Sequence, residues 1–211
     1  MEFDLTGEHS RYAYKLLAGL VTPRPVAWVT TADEEGKVNA APFSFFNVFG
    51  SRPPVLAFAP GDKEPGIPKD TARNIRRTGE FVVNLVDEAC AEAMNQTAAE
   101  LDFGVSEIEM AGLHTTPSSK VNPPRISEAP VALECREWST LKIGRYRMVI
   151  GLINRIHTPD GVLDPGTLLV NPDQFAPIGR MEVPSGYCRT EDRFQMPRPE
   201  SMEHRSLGGS R

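Results

Sequence analysis

A run of small and aromatic residues at positions 39–47 (NAAPFSFFN) has the side chains that would hold a flat heteroaromatic ring. Its two alanines would let the ring approach the backbone, and Ser44 and Asn47 could form hydrogen bonds with its polar edge. Side chains alternate in an extended segment, so we expect Ser44 and Phe46 on one face and Phe45 and Asn47 on the other. An ordinary Phe-rich core strand with two satisfied polar residues fits the same letters, and both interpretations stay open.

A second segment, residues 69–74 (KDTARN), lies at a predicted helix start. Free backbone N–H groups and the positive end of the helix favour an anion there, and Lys69 adds a charge and Thr71 a hydroxyl. Asp70 would repel a phosphate, so its better role is to cap the helix or to orient Lys69. A plain capped surface helix is the alternative.

Two further segments each present an arginine. Arg24 lies between two prolines that stiffen the chain, and it could meet a phosphate or a carboxylate with two hydrogen bonds. Residues 177–181 (PIGRM), followed by Gly186 and Tyr187, could form a loop that presents Arg180. A surface arginine at a strand start and a turn that closes a sheet are the respective alternatives.

The motifs that would support chemistry by side chains alone are missing from the sequence. It has no GxGxxG, GxxxxGK[ST], HExxH or GxSxG motif, and its four histidines show no ligand spacing. Only His157, at the end of a predicted strand, is kept as a candidate site residue. No catalytic side chain or metal site is assigned, so an enzymatic reaction would depend on a cofactor.

The composition excludes several classes of partner. The 211 residues carry a net charge of −5, which argues against binding to nucleic acid or to anionic membranes. A membrane span needs about 20 apolar residues and no such stretch occurs. Three cysteines without a CxxC pair predict neither a disulfide framework nor a zinc site. We find no signal peptide and expect a cytoplasmic protein.

The elements that must position these residues are mostly strands. We predict short helices at residues 12–20, from Asp70 or Thr71 to Gly79, and from Asp87 to about Ala98. Gly61 to Pro68 is predicted to be a loop. The predicted strands cover residues 25–31, 38–41, 55–59, 81–86, 131–141 and 146–157, with another at 168–171. Short early connections favour a mainly β fold with short helices, a β-barrel, over a βαβ fold.

Several segments, in this order, resemble the flavin reductase-like family, the FMN-binding split-barrel proteins that include flavoredoxins. They are PRPVAWVTT (23–31), NAAPFSFFNVF (39–49), PPVLAF (53–58), KDTARNI with GEFVVNLV (69–75 and 79–86), and PIGRM with GY (177–181 and 186–187). The resemblance predicts one split-barrel domain over residues 1–189 and a C-terminal tail at 190–211. After PIGRM, the family's glycine-rich segment is replaced by residues 182–185 (EVPS).

The resemblance implies a homodimeric FMN-binding split β-barrel that takes electrons from NADH or NADPH. It then passes them to free flavin, a metal complex or a partner oxygenase. A non-enzymatic FMN electron carrier is the alternative, since it would use the same site without binding a nicotinamide. By position, the residues implied at the ring and ribityl chain are Thr30, Ser44, Phe45, Phe46 and Asn47, those at the phosphate are Lys69, Asp70 and Thr71, and Arg24 is their neighbour.

Overall fold

The structure, a computed structural model, describes residues 1–103 and 105–199, and its elements are mainly strands. After a short 3-10 helix (Ser10–Tyr12), the helices are α1 (Ala13–Leu20), α2 (Asp70–Thr78), α3 (Ala91–Gln96) and α4 (Glu107–Met110). The first strands are β1 (Arg24–Pro25), β2 (Ala27–Ala32), β3 (Val38–Phe43), β4 (Phe46–Ser51), β5 (Pro54–Phe58), β6 (Asp62–Glu64), β7 (Ile67–Pro68) and β8 (Glu80–Leu85). They are followed by β9 (Thr115–Thr116), β10 (Arg125–Ile126), β11 (Val131–Ile143), β12 (Tyr146–His157), β13 (Gly179–Arg180) and β14 (Tyr187–Cys188).

Seven strands form one antiparallel sheet in the order β3-β2-β8-β11-β12-β5-β4. Its edge strands β3 and β4 follow each other in the chain, with only two residues between them, so the sheet curves round until its edges meet at residues 44–45. The short strands β1, β13 and β14 form a separate sheet, and β1 lies beside β4. This arrangement brings the predicted 39–47 segment to the seam between the two edges.

Strand β2 is buried on both faces, which explains why all six of its residues are apolar or hydrogen-bonded. Ala27 and Val29 point into the barrel core, whereas Trp28 packs on the opposite face against Met94 of α3. The indole Nε1 of Trp28 donates a hydrogen bond to Thr97 Oγ1 over 2.9 Å. The segment that follows α3 is thereby held against the outside of the sheet, next to β3.

The predicted helix over residues 12–20 and the long hairpin of β11 and β12 are confirmed, with bounds shifted by one or two residues. Helix α2 begins at Asp70 with Lys69 at its N-cap, and neither Asp70 nor Thr71 caps it. It ends as predicted at Gly79, whose φ of 70° is the left-handed conformation that glycine adopts without strain.

Other predictions are corrected. The helix predicted from Asp87 to Ala98 is reduced to α3, because residues 87–90 form turns in which Asp87 Oδ1 accepts the Cys90 N–H over 3.2 Å. Residues 168–171 are not a strand, since only a single bridge joins Val170 to Leu163. The loop predicted over residues 61–68 contains the small β6–β7 hairpin. Strand β4 was not predicted as a separate element.

The described part of the predicted tail, residues 190–199, contains no helix or strand, and residues 200–211 lie outside the described range. Within residues 1–103 and 105–199, none of the helices has both the length and the apolar character needed to cross a membrane.

Candidate flavin site

Two adjoining cavities lie at the seam of the barrel, on either side of Pro42 and Phe43. The lysine cavity has a volume of about 200 Å³ and is lined by Asn39, Ala41, Pro42, Phe43, Lys63, Lys69, Asp70, Thr71, Thr97, Ala98, Ala99, Glu100, Leu101, Phe103 and Glu107. The aromatic cavity has a volume of about 400 Å³ and is lined by Tyr14, Val26, Pro42, Phe43, Ser44, Phe45, Ala59, Asn95, Ala98, Tyr146, Arg180, Pro184 and Tyr187.

The three residues predicted at an anion site, Lys69, Asp70 and Thr71, all line the lysine cavity. No side chain caps α2, so its first backbone N–H groups and its positive end remain available to a ligand. Among the described residues, no hydrogen-bond acceptor or carboxylate pairs with the ammonium group of Lys69. Asp70 is paired with Arg73, whose Nη2 lies 2.6 Å from Oδ1.

A buried hydrogen-bond network fixes this helix start against the sheet. Asn39 Nδ2 donates to Thr71 Oγ1 over 3.1 Å, and Asn74 Nδ2 donates to Thr31 Oγ1 over 3.0 Å. Thr31 in turn donates to Asn39 Oδ1. Because all four side chains are buried, the network joins α2, β2 and β3 at the floor of the lysine cavity.

The far wall of the lysine cavity is the segment that follows α3. Lys63 Nζ donates to the Leu101 carbonyl over 2.6 Å. Phe103 lies between two cations, with Lys63 Nζ 4.7 Å and Arg73 Cζ 4.6 Å from its ring centroid. These contacts close the cavity opposite α2.

The aromatic cavity contains rings from four distant parts of the chain. Phe45 lies 6.1 Å from Tyr14 and 6.2 Å from Tyr146, measured between ring centroids. Tyr187 lies under the Arg180 guanidinium, whose Cζ is 4.6 Å from the ring centroid. Offset and tilted rings at this spacing form a surface on which another flat ring can stack.

The predicted alternation of side chains in residues 44–47 is wrong. The chain bends between β3 and β4, so the neighbours Ser44 and Phe45 both line the aromatic cavity. Phe46 packs against the barrel core, and Asn47 is exposed with its Oδ1 accepting the Val48 N–H over 2.8 Å. Phe46 and Asn47 instead line a separate groove of about 410 Å³ behind the bend.

This apolar groove is lined by Leu17, Val21, Pro23, Arg24, Pro25, Ser44, Phe45, Phe46, Asn47, Phe49, Ala57, Phe58, Ala59 and Met148. Ser44 and Phe45 belong to both the groove and the aromatic cavity, so the bend forms a thin wall between the two.

Arg24 is buried, and its guanidinium binds protein carbonyls. It donates to the carbonyls of Ala18 over 2.5 Å, Val21 over 2.7 Å and Met181 over 3.0 Å, and its Nε lies 3.4 Å from Ser44 Oγ. Burial lowers the pKa of Arg24, and nearby Arg180 lowers it further. Arg24 therefore holds Ser44 in place beside the cavity, and these contacts leave only one N–H of its guanidinium, too few for a bidentate contact with phosphate.

Thr30 lines neither of the two cavities nor the apolar groove. It is fully buried, and its hydroxyl donates to the Pro124 carbonyl over 2.6 Å. We therefore remove Thr30 from the candidate ligands.

His157 also lies outside the two cavities. Its Nε2 pairs with the buried carboxylate of Glu134, which accepts the N–H groups of Ser119 over 2.7 Å and Lys120 over 2.6 Å. Burial raises the pKa of Glu134, but these hydrogen bonds outweigh it and the net pKa is below its ordinary value. The pair ties β11 and β12 to the loop before them, which is a structural role.

The cavities also contain side chains that the sequence analysis did not find. Tyr14, Asn95, Tyr146 and Glu107 come from α1, α3, β12 and α4. No local spacing connects them with residues 39–47. Within residues 1–103 and 105–199, no group of three or more His, Cys, Asp or Glu side chains could hold a metal ion.

The dimensions and chemistry of the two cavities fit FMN. A flat ring system can stack in the aromatic cavity, and a phosphate can meet Lys69 and the uncapped start of α2 in the lysine cavity. The two cavities share the lining residues Pro42, Phe43 and Ala98, so they lie side by side as the two ends of FMN require.

Comparison with known proteins shows the family of the chain. Residues 19–179 match the family described as flavin reductase like domain. An uncharacterized protein of Deinococcus radiodurans is 43% identical over 201 residues, covering 93% of this chain and 88% of the relative.

Two solved structures are also similar. Nitrilotriacetate monooxygenase component B from Bacillus cereus has a TM-score of 0.88 and 31% identity, covering 93% of this chain and 98% of that one. The 2-nitrobenzoate 2-nitroreductase of Pseudomonas fluorescens has a TM-score of 0.84 and 37% identity, covering 94% and 96%. The curved sheet is thus the split barrel that the sequence predicts.

Proposed function

We propose, because this chain belongs to the flavin reductase-like domain family, that it binds FMN and acts as an NAD(P)H-dependent flavin reductase. The observation that carries the proposal is the joining of a lysine-lined cavity to an aromatic one across a single wall. A phosphate-bearing flavin is the ligand whose two ends match these two environments.

In the proposed complex, Lys69 and the first N–H groups of α2 bind the phosphate. Thr71 and Asp70 act indirectly, because Thr71 is held by Asn39 and Asp70 by Arg73. Phe45 stacks beside the ring, while Phe46 and Asn47 support the bend from the groove side.

The cofactor would supply the redox chemistry. It would accept hydride from NADH or NADPH and deliver electrons to an acceptor. The chain contributes binding, orientation and electrostatics. Ser44 Oγ accepts from Arg24, so its own proton is available to donate to the ring edge on which negative charge develops. The rings of Tyr14, Phe45 and Tyr146 lie together on one side of the cavity and would flank the bound ring.

The names of the two similar structures suggest two kinds of electron acceptor for this chain. One is named as a monooxygenase component and the other as a nitroreductase. An oxygenase partner would receive reduced flavin, whereas a nitroaromatic compound would have to enter the aromatic cavity. The room in this cavity beside Arg180 and Tyr187 supports direct reduction of a small aromatic acceptor as the second candidate.

We also propose that the protein is a homodimer. Large apolar side chains are exposed around the apolar groove, with Phe49 65%, Val21 59% and Val48 58% accessible. A second copy is the partner that the resemblance implies for this surface. Cytoplasmic location stays a prediction.

An absorbance spectrum of the purified protein, taken before and after reduced nicotinamide is added under anaerobic conditions, tests the proposal. Protein that retains FMN should be yellow, and NADH or NADPH should bleach the visible flavin band rapidly. Colourless protein that also fails to bind added FMN would contradict the flavin site. A flavin band that does not bleach would indicate the electron carrier instead of the reductase.

A further inference from the structure

Glu107 is a buried acidic side chain in the wall of the lysine cavity. It is 8% exposed and is the first residue of α4. Its Oε2 accepts the backbone N–H of Ala40 over 3.1 Å, and the neighbouring Ser106 Oγ donates to the Val38 carbonyl over 2.9 Å. These two contacts dock α4 on the free edge of β3, so the carboxyl group of Glu107 is fixed in position.

The charges around Glu107 do not neutralise it directly. Lys69 and Asp70 face the cavity from α2, Lys63 faces it from β6, and Glu100 faces it from the segment after α3. Strand β3 contributes only uncharged residues to the wall. Among the described residues, no cation lies within ion-pair distance of Glu107.

Burial is the largest influence on this carboxyl group and raises the pKa of Glu107. The negative charge of Asp70 raises it further, whereas hydrogen bonds from the backbone and the charge of Lys69 lower it in part. Asp70 differs, because Arg73 pairs with it at 2.6 Å. Glu100, the third acidic residue in this wall, is exposed to solvent. Glu107 is therefore the one whose uptake of a proton an arriving dianion would favour.

We propose that Glu107 takes up one proton from solvent when the phosphate of FMN enters the lysine cavity, and so makes the affinity of this protein for phosphorylated flavin depend on pH. The inference rests on the proposed FMN site. Two negative charges brought close to a buried carboxylate would repel it, and protonation removes that repulsion while the neutral acid can donate a hydrogen bond. Glu107 thus sets the pH dependence of FMN binding at this site.

The direction in which FMN affinity changes with pH follows from the uptake of a proton by Glu107. Binding that is coupled to proton uptake is strongest at low pH. It weakens as the pH rises from the pKa of Glu107 in the free protein to its higher pKa in the complex, by at most about tenfold per pH unit. The second ionisation of the phosphate lies near pH 6 and has the opposite effect, since binding favours the dianion. Measurements above about pH 7 therefore isolate the contribution of Glu107.

The test is isothermal titration of flavin-free protein with FMN at pH 7.5 in buffers of different ionisation enthalpy. The slope of observed enthalpy against buffer enthalpy gives the number of protons taken up. We expect uptake of up to one proton with FMN and none with riboflavin, which lacks the phosphate. Wild-type protein alone suffices for this measurement, so it does not depend on any variant folding.

Glu107→Gln keeps an oxygen that can accept the Ala40 N–H but cannot titrate. We expect it to abolish proton uptake, to flatten the pH dependence above pH 7, and to bind FMN more tightly than wild type at pH 8.5. Glu109→Gln, on the exposed face of the same helix, is the matched control and should behave as wild type.

Unchanged proton uptake in Glu107→Gln would overturn the inference while leaving the FMN site standing, as would FMN binding to wild-type protein without proton uptake. Equal uptake with riboflavin would also overturn it, because the phosphate would not be the cause. Failure of wild-type protein to bind FMN at all would instead overturn the proposed function and the inference with it.

Discussion

Lys69 is the single cation in the lysine cavity that has no partner among the described residues, since Lys63 is bound to the Leu101 carbonyl. A charge-assisted hydrogen bond contributes about 1.5–3 kcal/mol. We therefore expect Lys69→Ala to weaken FMN binding by roughly 10- to 150-fold and to leave riboflavin binding almost unchanged. Quenching of flavin fluorescence on titration measures both.

Arg76→Ala is the matched control for Lys69, because it removes one positive charge from the exposed face of the same helix. Its effect on FMN should be small and screened by salt. Equal loss of FMN and riboflavin affinity in Lys69→Ala would mean that Lys69 does not face the phosphate.

At the scale of the residue, the types of the ligands could be predicted and their directions could not. Ser44 and Lys69 were singled out from their chemistry and Phe45 from the resemblance, and all three lie at the two cavities. Arg24 and Thr30 have equally suitable chemistry, but their polar groups are bound to backbone carbonyls. Which donors are already satisfied depends on residues far away in the sequence, so no local pattern carries that information.

At the scale of the element, β12 and β8 approach each other closely across β11. Gly151 in β12 leaves space for the ring of Phe81, and a Cβ at this position would overlap that ring. Because Phe81 is fully buried and cannot move outward, we expect Gly151→Ala to destabilise the fold by about 1–3 kcal/mol. Chemical denaturation of the two proteins measures the difference.

Gly19→Ala is the control for Gly151→Ala. Gly19 lies in α1, and a Cβ there would be 3.9 Å from Glu182, an ordinary van der Waals contact. This substitution should stabilise the protein by up to about 1 kcal/mol. Phe81→Leu should cost less in the Gly151→Ala background than in wild type, because the smaller side chain relieves the overlap. Additive effects of the two substitutions would show that the close contact is not the cause.

The length and position of the strands followed from local composition, while their ends were less predictable. The β-branched runs in β2 and β8 lie within one or two residues of the prediction. The separate strand β4 and the bend before it were missed, because Phe-rich residues 43–49 carry no glycine, and Pro42 lies inside β3. Pairing with β5 decides that β4 is a strand.

At the scale of the whole molecule, the exposed apolar side chains around the groove should be covered by a second copy. Phe49 is 65% exposed and lies at the rim of the groove. Placing a charge in a dimer interface leaves it unpaired and desolvated, so Phe49→Lys should convert a dimer to a monomer. Sedimentation equilibrium over a range of concentrations measures the change.

Leu169→Lys is the control for Phe49→Lys, because Leu169 is equally exposed at 69% but does not line the groove. It should leave the dimer intact. A wild-type protein that is monomeric at all concentrations would contradict the prediction, as would a dimer that only Leu169→Lys dissociates.

The sequence by itself determined the fold class, the family and the segments that carry the candidate ligands, because strand propensity, turn residues and short motifs are local properties. Only the tertiary structure decided which of those residues share a cavity. Tyr14, Phe45 and Tyr146 meet, and Glu107 reaches the wall behind Lys69, because the barrel curves until its two edge strands adjoin. Such convergence depends on non-local pairing and packing, for which a single sequence holds no periodic signal.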